Sequence, residues 1–330
     1  MKVAVLGTGY VGLTTGLCLG YVGHSVTCVD VAPDKVRRLQ QGIPPIHEPG
    51  LEELMQAVGD RVTYTTQAAE AIAGADVVFI AVGTPPQPDG QPDLRYLRAA
   101  SEEIGRNLSS QFTVIVNKST VPVGSASWVE SMVRDAHAKS RSDDTRCMFA
   151  IASNPEFLRE GSAIADSLYP DRIVIGFDDP RALSTLESLY RPLVEQDFPS
   201  PSFAPRPERI GAVPLVTTSL TSAELIKYAA NAFLSLKVSF ANEIGHLSER
   251  VGADINQVVR GIGLDSRIGM RFLQAGLGWG GSCFGKDTAA LAATGREPKV
   301  AVRDGLPQTI DHFRSVIETQ PGRSGGVSTL

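Results

Sequence analysis

Residues 2–30 constrain this chain more tightly than any other stretch. Lys2-Val3-Ala4-Val5-Leu6 is short, apolar and β-rich; Gly7-Thr8-Gly9-Tyr10-Val11-Gly12 follows at once, and residues 13–21 form an apolar helix-like run. Glycines at this spacing mean little alone, but between a strand and a helix they mark a phosphate-binding turn. Gly7 permits the tight turn, Gly9 lets a pyrophosphate approach the backbone, and Gly12 lets the helix pack close to the sheet. The helix amino terminus then offers unpaired N–H groups to phosphate oxygens. A second strand, Ser25-Val26-Thr27-Cys28-Val29, ends in Asp30, whose carboxylate can accept from both hydroxyls of an adenosine ribose. Its charge opposes a 2′-phosphate, so the expected cofactor is NAD. Lys35, Arg37 and Arg38 follow within the next helix, and Lys35 is counted with the cofactor-binding candidates.

The alternation continues, with strands expected at 61–66, 76–82 and 112–119 and helices at 93–108 and 125–138. Such alternation predicts an α/β fold with a Rossmann-type doubly wound parallel sheet, whose ligands lie at the carboxyl ends of the strands. Thr84 and Thr120 fall at such ends and are candidates for cofactor or water contacts. Strands at 148–152 and 172–177 and a helix at 180–193 follow, then an irregular Pro-rich connection at 198–214. Residues 222–251 contain no proline and one glycine, Gly245, with apolar residues at helical spacing. A helix that long, roughly 45 Å, exceeds what one small domain covers and reads as a bridge between domains, also buried in a subunit interface; an all-α central domain containing it is expected after the sheet. Lys227 and Asn231, four apart, share one face of it. The expected domains are 1–200 for NAD, 201–294 for dimerisation and catalysis, and a short tail at 295–330.

The net charge of −5 argues against general attraction to nucleic acid or an anionic membrane. No apolar run reaches the length of a membrane span, and the first residues are already the first strand, so a cytoplasmic protein without a signal segment is expected. Four cysteines in 330 residues do not make a disulfide framework. Cys18 and Cys28 read as small buried hydrophobes, and Cys147 opens a strand behind a polar surface loop. No pair has zinc-ligand spacing, so no metal is expected. Cys283 differs: it lies in Gly280-Gly281-Ser282-Cys283-Phe284-Gly285-Lys286-Asp287, where a nearby ammonium favours the thiolate. A thiolate can add to an aldehyde, and hydride loss from the adduct gives a thioester that water opens to an acid.

Gly7 to Gly12, Glu48-Pro49-Gly50-Leu51, Val82-Gly83-Thr84-Pro85, Lys118-Ser119-Thr120-Val121-Pro122-Val123-Gly124, residues 154–160, 223–243 and 280–287 together resemble the nucleotide-sugar dehydrogenases of the UDP-glucose/GDP-mannose dehydrogenase family. Gly-Gly-Ser-Cys-Phe looks like the UDP-glucose branch. The resemblance covers residues 1 to about 293 and implies two successive NAD-dependent oxidations at C6 of UDP-glucose, giving UDP-glucuronate. It implies that Cys283 is the nucleophile and that Lys227 and Asn231 stabilise the oxyanion. Asp287, Thr120 and a water would move protons, with Glu156 as base in thioester hydrolysis. It places the dinucleotide against Gly7, Gly9, Tyr10, Val11, Gly12, Asp30, Lys35, Thr84 and Thr120, with Glu160 and Lys286 towards the nicotinamide. The sugar nucleotide would meet Glu156, Phe157, Leu158, Arg159, Glu160, Lys227 and Asn231, then Phe272, Leu273, Gln274, Ala275, Gly276 and Gly280. A homodimer around the long helix is implied.

Two departures from the family pattern stand out. The family usually has proline at the position of Gly285, so the loop expected after Cys283 loses a restraint. It also continues into a UDP-binding domain, whereas about forty residues remain here; an NAD-binding, dimerising remnant is therefore the alternative expectation, and a dehydrogenase for another nucleotide sugar a third. Residues 295–314 resemble instead the carboxyl end of an extended short-chain dehydrogenase/reductase, in particular the UDP-glucuronate decarboxylases. Residues 307–319 read as an amphipathic helix and 320–330 as a disordered end.

Overall fold

The computed structural model describes residues 1–87, 92–140, 148–208, 210–278 and 282–293. It divides into two compact units, Met1–Ala229 and Ala230–Leu330.

In the first unit, strand β1 (Lys2–Leu6) runs into α1 (Tyr10–Tyr21), and β2 (Ser25–Val29) into α2 (Pro33–Gln40) and α3 (Leu51–Val58). Then follow β3 (Val62–Thr65), α4 (Ala68–Ile72), β4 (Val77–Ile80), α5 (Arg95–Asn107), β5 (Thr113–Asn117), α6 (Ser125–Ser140) and β6 (Phe149–Ser153). Helix α7 (Ala163–Leu168), β7 (Ile173–Phe177), α8 (Pro180–Glu195) and β8 (Leu215–Thr218) complete the sheet, in the order β3-β2-β1-β4-β5-β6-β7-β8. Strands β4 and β5 are buried along their whole length, as a sheet covered on both faces requires. One face is closed by Leu13, Leu17, Leu54 and Leu186, the other by Leu97, Ile104, Val129 and Val133.

The sheet is parallel except between β6 and β7, which pair antiparallel. This departs from the fully parallel expectation: residues 154–172 are mostly irregular, with six-residue α7 as their only helix, so they do not form the helical crossover that usually returns a chain for parallel pairing.

Helix α9 (Leu220–Val251) is longer than the expected span, and the Ala229–Ala230 boundary falls within it. In the second unit it is followed by α10 (Ile255–Gly263), capped by Asp254 accepting from the Asn256 N–H at 2.8 Å, and by α11 (Ser282–Ala293). The expected loop after Cys283 is therefore corrected: Cys283 and Gly285 lie in the first turns of a helix. Its alanine-rich second half supplies the propensity that offsets a glycine. Cys18 and Cys28 are buried as expected. Of the polar surface loop expected at 139–146, Lys139 and Ser140 instead continue α6 by its last two residues; residues 141–146, Cys147 and the tail from 294 onward lie outside the described residues. Among the described residues no helix is long and apolar enough to cross a membrane.

Candidate functional site

The 7–12 turn has the geometry that a dinucleotide requires. Gly7 sits at φ +99°, and a Cβ there would lie 2.5 Å from the Ala81 carbonyl oxygen. A Cβ on Gly12 would lie 1.9 Å from the Gly7 oxygen, so helix and turn are in contact. Gly9 is the opposite case, with nothing within 4 Å of its notional Cβ. No side chain caps α1 at Gly9, which leaves its first-turn N–H groups facing an open approach. A pyrophosphate fits there. Asp30 accepts from the Thr8 N–H at 3.0 Å, the Thr8 hydroxyl at 2.6 Å and the Lys35 ammonium at 2.7 Å. Burial pushes its carboxyl upward, but these bonds outweigh it and hold the group below its usual range.

At the carboxyl ends of β4 and β5, the Thr84 hydroxyl donates to the Thr120 carbonyl at 2.9 Å and Ser119 donates to the Val82 carbonyl at 2.7 Å. These bonds fasten the two strand-end loops together. Thr120 lines a small hollow with Asn117, Ser153, Pro155, Glu224, Lys227 and Tyr228. Lys227 reaches Glu156 at 2.9 Å, both side chains being more than nine-tenths buried. The Glu156 carboxylate also accepts from the Leu158 N–H at 2.6 Å, which curls the loop after β6. Phe157 is held between cations, with Arg172 at 3.7 Å and Lys227 at 5.5 Å from its ring centroid. Arg159 is occupied by Asp166 at 2.5 Å, and Glu160 is exposed.

The second unit holds its own cluster. Asn231 donates to Asp287 at 2.6 Å, and Lys286 pairs with the other Asp287 oxygen at 2.7 Å. Asp287 is almost wholly buried, so its charge is matched by these two donors rather than by water. Phe272 adopts φ +66°, in the left-handed region a bulky residue rarely enters, and its ring lies 6.4 Å from that of Phe284. Leu273 is buried, whereas Gln274, Ala275 and Gly276 are exposed, and the Gly276 N–H donates to Asn242 at 2.8 Å. Gly280 and the side chain of Cys283 lie outside the described residues.

Several residues of this region went unassigned in the sequence. Glu224, three residues before Lys227, accepts from the N–H groups of Gly124 at 2.6 Å and Ala126 at 2.9 Å. Burial raises its carboxyl and those donors oppose the rise. It ties α9 to the start of α6 and so holds the 118–124 loop. Lys118 donates to Asn154 at 2.8 Å, and Tyr190 donates to the same Asn154 oxygen at 2.6 Å. Burial drives the Lys118 ammonium down to about 8, against the pull of Glu156 and with the push of Lys227. Lys118 and Glu224 both lie inside segments that carry the family resemblance, which says nothing of where a side chain points.

Two matches with described protein families cover most of the chain. The NAD binding domain of the UDP-glucose/GDP-mannose dehydrogenase family matches residues 1–194, and the central domain of the same family matches residues 221–311. The UDP-glucose 6-dehydrogenase TuaD of Bacillus subtilis is 45% identical over 320 residues, which are 96% of this chain and 62% of the relative. A UDP-glucose 6-dehydrogenase of Rhizobium meliloti is 47% identical over 308 residues, 92% of this chain and 65% of the relative. The chain thus spans less than two thirds of the length of either. The solved structure of a UDP-glucose dehydrogenase from Pyrobaculum islandicum superposes with a TM-score of 0.79 at 41% identity, covering 98% of this chain and 71% of that one.

Proposed function

The chain belongs to the UDP-glucose/GDP-mannose dehydrogenase family, and from that premise we propose that it serves the NAD-dependent oxidation of UDP-glucose at C6 to UDP-glucuronate. The observation that carries this reading is the buried Lys227–Glu156 pair beside Thr120, at the carboxyl edge of a sheet whose first turn is open to a dinucleotide.

NAD supplies the hydride acceptor when bound, held by Gly7, Gly9, Tyr10, Val11 and Gly12 at the pyrophosphate and by Asp30 and Lys35 at the ribose. Thr84, Thr120, Glu160 and Lys286 complete its surroundings. Lys227 and Asn231 stabilise negative charge on the C6 oxygen. Thr120 and Asp287 orient the water that exchanges protons with it. The Cys283 thiolate adds to the aldehyde carbon, and the resulting thiohemiacetal becomes a thioester at the second oxidation. Glu156 then takes a proton from the water that opens the thioester.

The test is to incubate the full chain with UDP-glucose and NAD⁺ and to identify the product by mass spectrometry. UDP-glucuronate from the wild type and none from Cys283→Ser, which is nearly isosteric, is the expected pair of results. Titration of NAD⁺ and UDP-glucose separately adds a second readout. Binding of NAD⁺ alone, without product, replaces this reading with that of an NAD-binding, dimerising module. A homodimer around α9 is part of the proposal, since Leu225 and Phe233 on that helix are 44% and 62% exposed. Sedimentation showing only monomer at micromolar concentration would remove it.

A further inference from the structure

Glu48 lies in the Glu-Pro-Gly-Leu segment ahead of α3, outside every set of residues that holds the cofactor or performs the chemistry. Its carboxylate is buried, at 5% exposure. The donors on it come from two separate parts of the first unit. The Tyr10 phenol, on the first residue of α1, donates to Oε2. The Gly161 N–H donates to the same oxygen at 2.8 Å, and the Ala163 N–H donates to Oε1 at 2.7 Å. The Gly161 N–H is also shared with the Tyr10 oxygen at 2.9 Å, and that oxygen lies 3.4 Å from the Arg159 carbonyl. Gly161 sits at φ +85°, so the chain turns there to bring both N–H groups onto one carboxylate.

The two parts that Glu48 joins are the dinucleotide turn and the loop carrying Glu156, Phe157, Leu158 and Arg159. A carboxylate buried among neutral donors depends on all of them for the solvation it has lost, so shifting one donor disturbs the others. Tyr10 is the residue whose backbone enters the pyrophosphate-facing first turn. Fixing that turn fixes the phenol, and the phenol bears directly on Glu48 and Gly161. We propose that Glu48 is a positioning residue that couples occupancy of the dinucleotide turn to the ordering of the 155–163 loop. By reciprocity, ordering of that loop favours the dinucleotide. The proposal rests on the reading of the 7–12 turn as the seat of NAD.

The test uses the full chain and two variants, Glu48→Gln and Tyr10→Phe. Glu48→Gln turns one acceptor into a donor that faces donors. Tyr10→Phe keeps the carboxylate and both backbone bonds but cuts the link to α1, so it carries the test even where Glu48→Gln folds poorly. NAD⁺ affinity is measured by titration, and amide exchange over 155–163 is followed with and without saturating NAD⁺. In the wild type NAD⁺ is expected to slow exchange there about fivefold or more, the lower end of ordinary coupling between sites. In Glu48→Gln and Tyr10→Phe, each brought to saturation with NAD⁺ at the weaker affinity that loss of the coupling implies, the slowing is expected to disappear.

A merely structural Glu48 gives a different pattern. Its loss would raise exchange equally with and without NAD⁺ and leave the ratio unchanged, which overturns the coupling. NAD⁺ binding to the wild type with no slowing in 155–163 overturns it as well. Absence of NAD⁺ binding to the wild type overturns the reading of the turn, and the coupling falls with it.

Discussion

The Lys227 ammonium lies 2.9 Å from the Glu156 carboxylate, and the two side chains are 7% and 9% exposed. Two charges that far from water are each other's main compensation, so removing one strands the other. Lys227→Met and Glu156→Gln are each expected to destabilise the first unit, Lys227→Met by about 3–5 kcal/mol because it leaves a buried carboxylate without its paired ammonium. The double variant should lose less than the sum of the two. Urea denaturation of all four proteins measures this, and strictly additive losses would show that the pair is not coupled.

The glycines of the turn separate folding from binding. Gly9→Ala meets nothing within 4 Å and keeps an ordinary φ of −73°, so stability should stay within roughly 0.5 kcal/mol of the wild type. The same methyl stands where the backbone must be approached, and NAD⁺ affinity should fall roughly tenfold, about 1.4 kcal/mol. Gly12→Ala should instead destabilise, since its methyl would meet the Gly7 oxygen at 1.9 Å. Thermal melts and NAD⁺ titrations on both variants distinguish the two effects.

Cofactor choice should turn on Asp30 and Lys35 together. In the folded chain Asp30 occupies the Lys35 ammonium at 2.7 Å and opposes a 2′-phosphate. Asp30→Ala frees that ammonium, so the ratio of NADP⁺ to NAD⁺ dissociation constants should drop sharply from its wild-type value. Comparable constants for the two cofactors in the wild type, read by fluorescence quenching, would refute the role of Asp30.

Lys118 gives a dependence on pH whose sign can be worked out. Burial lowers its ammonium from an ordinary 10.5 to about 8, so the unfolded chain holds the proton where the folded chain has lost it. The penalty on folding is full below pH about 8, shrinks as pH rises towards 10.5 and is gone above it. In full it is on the order of 3 kcal/mol. Stability of the wild type relative to Lys118→Met should therefore rise between these limits. Urea midpoints for both proteins on either side of that window check it, and a constant difference would place the Lys118 proton elsewhere.

Much of the dinucleotide turn was legible without coordinates, because everything it needs lies within about thirty consecutive residues. Gly7, Gly9 and Gly12 act on the same short stretch of backbone, and Asp30 is reached by one helix and one strand. The alternating elements were legible for the same reason: the 2.0 and 3.6 periodicities record which neighbouring residues face the core. The pairing of Lys227 with Glu156 was not legible at all, since 71 residues separate them and no local pattern relates them.

Glu48 shows the limit most clearly. Its segment carries a likeness to a family, yet nothing in Glu-Pro-Gly-Leu says that the carboxylate reaches backbone N–H groups more than a hundred residues later. The reversal of β7 was hidden for a related reason, because it depends on the path that residues 154–172 take rather than on the strand's own residues. Local propensity and periodicity are written into adjacent side chains and can be read there. Which distant donor satisfies a buried acceptor is decided only when the chain closes on itself, because the cost of leaving that acceptor unpaired exists only once water has been excluded.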